Sequence, residues 1–312
     1  MKLKTSIYLS SWSVKHWLES GQISICQFPA LAKEHGFNGV EFIDRHLPGT
    51  ADHVFKKLLI SLQENQMKST LALTTDFIQR RPELLAKQID YVIQMLNYAG
   101  LIRAQSVRIL LGGSDFFLQN WIKRISRRKA DSSQLDAIKR QKLLTSKLQH
   151  TKLFHWLHRR LIQNRKPTLL KDGPVRQNLY SCFDSIVLAA EKLRLALAIE
   201  NHWSISGHSQ NILDLVHYYN SAYLGTCPDL GNFSRRLDRY LEIKKLLPFA
   251  KEIHAKSYQF NQAGEETSID YKQCVAMIQA SKFSGPLVVE YEGSGDKFEH
   301  SLKTRDLLLK YL

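Results

Sequence analysis

Residues 183–203 read FDSIVLAAEKLRLALAIENHW. Apolar residues first recur three and four apart, the period of a helix with one buried face, and then run on continuously from Leu195. A short aliphatic run after a helix reads as a strand covered on both sides, as in a parallel sheet. Glu200 breaks the run, and Asn201, His202 and Trp203 follow it. This unit therefore predicts a helix, a buried strand over Leu195–Glu200, and a carboxylate at the strand's carboxyl end. In α/β proteins that end is where ligands are bound.

The same unit recurs in both directions. Further strands are predicted at Ser6–Ser10, Gly39–Ile43, Thr70–Thr74, Ser106–Leu111, Tyr223–Cys227, Glu252–Lys256 and Leu287–Tyr291. Helix-like stretches separate them, among them PALAKEHG, DHVFKKLLISLQEN, SQNILDLVHYYN and the terminal HSLKTRDLLLKYL. Strands that alternate with helices pair in parallel, because each crossover carries a helix. A single α/β domain over residues 1–312, closed as a (β/α)8 TIM barrel, is the expected architecture, with an open doubly wound sheet as runner-up. No GxGxxG follows the first strand, and Gly112–Gly113 is too short for a phosphate loop.

One segment breaks the rhythm. A βα unit takes about 30 residues, yet Leu111 and Leu195 are 84 residues apart. Residues 119–171 hold 15 of the 44 Lys and Arg but only 2 of the 29 Asp and Glu, so most of the +15 formal charge lies there. Leu135, Ile138, Leu144, Leu148, Leu157 and Leu161 recur at roughly helical spacing. We expect a basic helical insertion after strand 4, on the side where insertions line or cover a barrel's mouth. Three uses are open to it. Its apolar stripe could pack on the barrel or on a second copy in a homo-oligomer. It could be a cationic lid over an anionic substrate such as a sugar phosphate. It could attach to nucleic acid or an anionic membrane through clusters such as Arg127, Arg128 and Lys129. Packing is favoured, and single-strand binding is not, since few stacking aromatics beyond Trp121, Phe154 and Trp156 accompany the charges.

Several classes are excluded. No run approaches the ~20 apolar residues that span a bilayer, and the first twenty residues lack the apolar stretch and cleavage site of a signal peptide. Cys26, Cys182, Cys227 and Cys274 are scattered without a CxxC pair, which reads as reduced thiols in a cytoplasmic protein.

Four polar residues sit at the carboxyl ends of the last four predicted strands: Glu200 in IENHW, Asp229 in PDLGN, His254 in HAKSY and Glu290 in VVEYEG. They are spaced by 29, 25 and 36 residues, each close to one βα unit. In a closed barrel such residues ring the mouth, and three carboxylates with one imidazole suit a divalent cation. Oxygen ligands favour Mn²⁺ or Mg²⁺, while the imidazole keeps Zn²⁺ and Co²⁺ open. Residues two apart share a strand face, so His202, Lys256 and Glu292 lie one step further out. Glu41 and His46, near the end of the second strand, and Trp12, after the first, are further candidates for substrate contact.

Together with VEF at Glu41, these motifs in this order resemble the xylose-isomerase-like TIM barrels, the sugar phosphate isomerase/epimerase group. The resemblance covers roughly residues 3–115 and 175–312 and leaves the basic insertion outside. It implies that Glu200, Asp229, His254 and Glu290 bind one divalent metal ion. It also implies that Glu200 and Glu290 are the catalytic acid/base pair, with His202 and Lys256 near the substrate. One glutamate would remove a carbon-bound proton, giving an enediolate stabilised by the cation, and the other would deliver or accept the second proton. Isomerisation, epimerisation or, by loss of a β-hydroxyl, dehydration of the inosose or dehydroshikimate type would follow. A barrel-derived binding protein that uses the insertion for nucleic acid or a protein partner is the alternative outside catalysis.

Two departures narrow the resemblance. Tyr258, Gln259 and Phe260 follow the HAKS stretch where ketose 3-epimerases of this group usually carry an Arg, which counts against a free-ketose epimerase. Endonuclease IV, of the same superfamily, needs extra histidines, and neither LALTTDF nor SVRILLGG supplies one; Asn232 stands where its Asp-x-x-His would end. The GSGD turn at Gly293–Asp296 lies where barrels often seat a phosphate.

Overall fold

The computed structural model describes residues 6–78, 81–112, 167 and 169–312. Apart from residues 167 and 169–171, the basic insertion expected over 119–171 lies outside the described residues.

Eight strands follow one another in chain order: β1 (Ser6–Ser10), β2 (Gly39–Ile43), β3 (Lys68–Leu73), β4 (Ser106–Ile109), β5 (Ala196–Glu200), β6 (Leu224–Cys227), β7 (Ile253–Ser257) and β8 (Pro286–Tyr291). Helices alternate with them among the described residues: α1 (Lys15–Ser20), α2 (Phe28–Glu34), α3 (Asp52–Glu64), α4 (Pro82–Leu101), α5 (Pro174–Leu193), α6 (Ser209–Tyr219), α7 (Arg239–Leu246), α8 (Tyr271–Ala280) and α9 (Lys297–Tyr311). Local chemistry marks their ends. α4 and α5 begin on Pro82 and Pro174, at the position where a missing N–H costs nothing. Asp270 and Asp296 cap α8 and α9, accepting from the backbone N–H groups of Gln273 at 2.9 Å and Glu299 at 2.7 Å. α5 stops at Arg194, whose left-handed φ of 51° turns the chain into β5.

All seven ladders are parallel and follow the order β6-β5-β4-β3-β2-β1-β8-β7. β6 and β7 close the ring without a regular ladder. Lys251 N–H donates to the Thr226 carbonyl at 2.9 Å, His254 N–H to that of Pro228 at 3.0 Å, and Leu230 N–H to that of His254 at 3.0 Å. Pro228 has no N–H to give, which is why β6 ends at Cys227. The expected single α/β TIM barrel is therefore the observed fold.

The strands are covered on both faces, by different materials. Ile7, Leu9, Val40, Phe42, Leu71, Val107, Leu197, Ile253 and Val289 join one apolar core with the helices. Each such side chain contributes about 1.5–3 kcal/mol by leaving water. The alternate residues face the barrel interior, and many are polar: Ser10, Glu41, Thr70, Ser106, Arg108, Glu200, His254, Lys256 and Glu290, all buried. Gly39 makes room in the floor, since a Cβ there would stand 2.5 Å from the Tyr8 ring. The apolar sheath makes the barrel stable, and the lumen gathers its buried polar and ionisable groups.

Candidate active site

Glu200 is the last residue of β5, and Asp229 lies two residues beyond β6. Asn201 ties them together. Its side chain donates to the Asp229 carbonyl at 3.1 Å and accepts from the Asp229 N–H at 2.6 Å. His254, the second residue of β7, pairs with Asp229 across the closing seam. One ligand atom from each of Glu200, Asp229 and His254 lies within 4.8 Å of the others.

Glu290, on β8, stands beside this set. Its Oε2 is 3.7 Å from His254 Nδ1 and 3.0 Å from Lys256 Nζ. Lys256 is inside the barrel, 1% exposed. Its ammonium also lies 3.2 Å from Asp229 Oδ2 and 3.3 Å from Glu292 Oε1, and it donates to Asn232 Oδ1 at 3.0 Å. Asn232 in turn donates to Glu200 Oε1 at 2.8 Å. The expected four-residue ring is thus three residues in mutual reach, with the fourth drawn to a lysine that the strand alternation had put near substrate.

Three buried atoms in this group have no hydrogen-bond partner: Glu200 Oε2, Asp229 Oδ2 and His254 Nδ1. Arg108 Nε, 3.0 Å from Glu200 Oε2, meets it as an ion pair without hydrogen-bond geometry. Orphaned buried donors and acceptors are rare and mark places where a ligand or ion completes the set. Two carboxylate oxygens and an imidazole nitrogen are a donor set that suits a divalent cation. The residues present therefore fit the metal that the family resemblance implies.

The electrostatics follow from burial and neighbours. Burial lifts the Asp229 carboxyl to about 7, with Glu200 and Glu290 adding to the rise against the pull of Lys256. Burial also opposes ionisation of Glu290, but Lys256, His254 and Arg108 outweigh it and hold this carboxyl well below its usual range. His254 is raised well above its ordinary value. Burial works against its charge, and Cys227, Glu41 and Glu200 more than offset it.

Glu41, a candidate substrate contact near the end of the second strand, is fully buried. Its Oε2 lies 2.9 Å from His254 Nε2, and its Oε1 accepts from Ser10 Oγ at 2.7 Å. A carboxylate on the far nitrogen orients an imidazole and fixes which nitrogen faces the ligand. His46 sits on the rim with its Nδ1 2.9 Å from Ser11 Oγ, and its ring stacks on Trp12 at 6.4 Å. His202 is half-buried, its ring 4.4 Å from that of Trp203. Trp203 and Ser204 both hold left-handed backbone just after Glu200, with φ of 48° and 46°.

Arg108 and Glu252 take part in this constellation without having been singled out from the sequence, and Asn232 stands out there only as a departure from endonuclease IV. Arg108 was findable: a lone charged residue between Val107 and Ile109 on a buried strand must have a partner in the lumen.

A parallel eight-stranded barrel with acids gathered at one mouth defines the TIM-barrel class. A family model for the xylose isomerase-like TIM barrel matches residues 29–310, and the chain belongs to that family. No curated protein matches the sequence. Among solved structures the chain resembles a D-tagatose 3-epimerase-like protein, with 13% identity, a TM-score of 0.66, and 98% of this chain and 97% of that one covered. It also resembles D-allulose 3-epimerase from Methylomonas sp. in complex with D-allulose, with 11% identity, a TM-score of 0.63, and 99% and 98% covered. A third is the probable 3-DHS dehydratase AsbF from Bacillus anthracis, with 15% identity, a TM-score of 0.62, and 97% and 98% covered. At such identities the likeness is one of fold.

Proposed function

We propose that this protein is a divalent-metal-dependent isomerase or epimerase of a sugar or sugar derivative. The observation that carries this reading is the convergence of Glu200, Asp229 and His254 within 4.8 Å, together with a buried atom on each that has no hydrogen-bond partner. Those three would hold the cation, with Glu290 beside them. When bound, the cation supplies Lewis acidity that polarises a substrate carbonyl and acidifies the adjacent C–H.

The chain's own groups supply the rest. Glu290, kept ionised by Lys256 and His254, can accept a proton at a carboxylate oxygen. Glu200 is braced at Oε1 by Asn232 and at Oε2 by Arg108, which holds it in one orientation. β5 and β8 are three strands apart round the barrel, so the two glutamates address a carbon between them from different sides. Lys256 is positioned to donate to a substrate oxygen, and Glu41 holds the His254 ring still. Proton return to the opposite face would give epimerisation and to the neighbouring carbon isomerisation; expulsion of a β-hydroxyl would give dehydration. Trp12, His46 and His202 would wall the substrate.

A screen of ketoses, sugar phosphates and cyclic keto-polyols in deuterated water with Mn²⁺ tests this directly. Solvent deuterium should enter one carbon of the true substrate, and metal analysis should find about one divalent ion per chain. Glu290→Gln should lower the exchange rate at least ~100-fold, the scale of a lost general acid/base. Deuterium uptake at an equal rate in Glu290→Gln, or no bound ion at saturating Mn²⁺, would overturn the reading.

A further inference from the structure

A second cluster lies beside the ring of acids. The 3-10 turn Ser11–Val14, just after β1, carries Trp12, the next residue Lys15 opens α1, and Lys297 opens α9 after β8. Lys15 Nζ stands 4.2 Å from the centre of the Trp12 ring and Lys297 Nζ 5.4 Å from it. Two like charges have been brought to one ring. Neither is in an ion pair among the described residues. Lys297 has one hydrogen bond, to the Tyr291 carbonyl at 3.2 Å.

Burial disfavours both charges. It lowers Lys15 against the more distant pull of Glu19 and Glu292, with Arg45 adding to the fall. It lowers Lys297 likewise, with Lys15 and Lys256 adding and Glu292 and Glu290 opposing. His46, stacked on the same indole, is pushed down to about 4, chiefly by burial, and so brings no charge near neutral pH. The indole Nε1 of Trp12 is buried and has no hydrogen-bond acceptor. An ammonium and an indole N–H can donate but never accept. Lys15, Lys297 and Trp12 Nε1 are thus all donors, two of them positively charged, and the pull of Glu292 on the two lysines falls short of offsetting their burial.

We propose that Lys15, Lys297 and Trp12 Nε1 form a subsite for an anionic group of the substrate, carboxylate or phosphate oxygens, next to the acids of β5–β8. The proposal rests on the reading of the neighbouring site as catalytic only for the word substrate; the anion subsite itself stands on this geometry. It makes the substrate an acidic sugar derivative, whereas a neutral ketose would leave both lysines with only the pull of Glu19, Glu290 and Glu292, which does not offset their burial. An anion there sits over Trp12 and is held at one end while the carbon to be deprotonated reaches Glu290.

The test has two arms on the full chain. In the first, inorganic phosphate and, separately, acetate are titrated calorimetrically into the wild type, a Lys15→Met/Lys297→Met variant and a Lys33→Met/Lys68→Met variant. The last removes two exposed lysines at the opposite end of the barrel, correcting for general charge. At least one of the two anions should bind the wild type and lose at least ~10-fold in affinity in the first variant and under ~2-fold in the second, because charge-assisted donors at the contact matter more than distant charge. Lys15→Arg/Lys297→Arg should restore most of the binding, which separates lost charge from misfolding. The preferred anion tells a carboxylate from a phosphate source.

In the second arm, whichever compound takes up deuterium should carry that anion, and Lys15→Met/Lys297→Met should raise its KM at least ~10-fold with kcat changed less than ~3-fold. No binding of either anion, equal loss in both methionine variants, or a neutral sugar as the exchanging compound would overturn the subsite. Anion binding localised to Lys15 and Lys297, with no exchange in any compound, would instead uphold the subsite and sink the catalytic reading.

Discussion

The lower and upper levels of the barrel interior hold similar groups and treat them differently. Below, Glu252 accepts from Ser106 Oγ at 2.6 Å and Thr70 Oγ1 at 3.4 Å and faces His254 Nε2 at 3.3 Å. Tyr8 OH bonds Gln105, and Glu41 is held by Ser10 and His254. Above, Glu200 Oε2, Asp229 Oδ2 and His254 Nδ1 are buried without a hydrogen bond, the first two meeting Arg108 and Lys256 only as ion pairs. His254 is the rung between the levels, satisfied on one nitrogen and open on the other. Cys227, Glu252 and His254 also approach one another within 4.8 Å. There, however, burial pushes the thiol up, which keeps it protonated, and Glu252 is already bonded. Proximity of ligand-type residues is common to both levels; among the described residues the carboxylate and imidazole atoms without a hydrogen bond belong to the upper one, which is why the proposed cation is placed there.

The sharpest way to break this contrast is at Arg108. Replacing it with Met strands the buried Glu200 carboxylate and should cost about 3–5 kcal/mol in urea unfolding. A loss below ~1 kcal/mol would mean that the upper level is not held by charge pairing. Next is metal loading. Mn²⁺ at about a hundred times its Kd should stabilise the wild type by about 2.7 kcal/mol, read as a rise in Tm. Asp229→Asn should abolish that rise and Glu252→Gln should leave it, and the reverse pattern would exchange the roles of the two levels. Without metal, Glu252→Gln should still cost about 1–2 kcal/mol, because it disturbs a completed set of buried hydrogen bonds. The smallest expected effect is Asp229→Asn in the metal-free protein, within about 0.5 kcal/mol of wild type in the same urea titration. That carboxyl is already lifted to about 7 by burial and its acidic neighbours, so little is lost with its charge.

Much of this was legible from one dimension. β1 and β2 coincide with the expected Ser6–Ser10 and Gly39–Ile43, since period and flanking turns leave little choice there. The errors fall at strand ends, where side chains capture the backbone. β3 stops at Leu73, not Thr74, because Thr74 N–H donates to Asp44 Oδ2 at 2.9 Å. β4 stops at Ile109, not Leu111, because Leu110 N–H donates to Thr75 Oγ1 at 2.9 Å. Both partners lie over 25 residues away, so no local window contains them. The ring of acids was visible through its spacing, one residue per βα unit. The groups that brace it were harder to see. Asn232 acts through a hydrogen bond to β5 and a lysine on β7, a relation only the closed barrel creates. Glu41 is expected from the sequence only as a substrate contact, because nothing local says that His254, 213 positions away, stands opposite it.

The ring of strands meets itself at the β6–β7 seam, where bridges at Thr226↔Ala250 and Asp229↔His254 stand in for a ladder. Two of the residues proposed to hold the cation thus also help to clasp the barrel shut. A bound ion would act as a rivet across the one joint with few rungs, so amide hydrogens around Leu230 and His254 should slow their exchange on loading more than those of β2 or β3. Turnover and mechanical integrity would then depend on a single fastening.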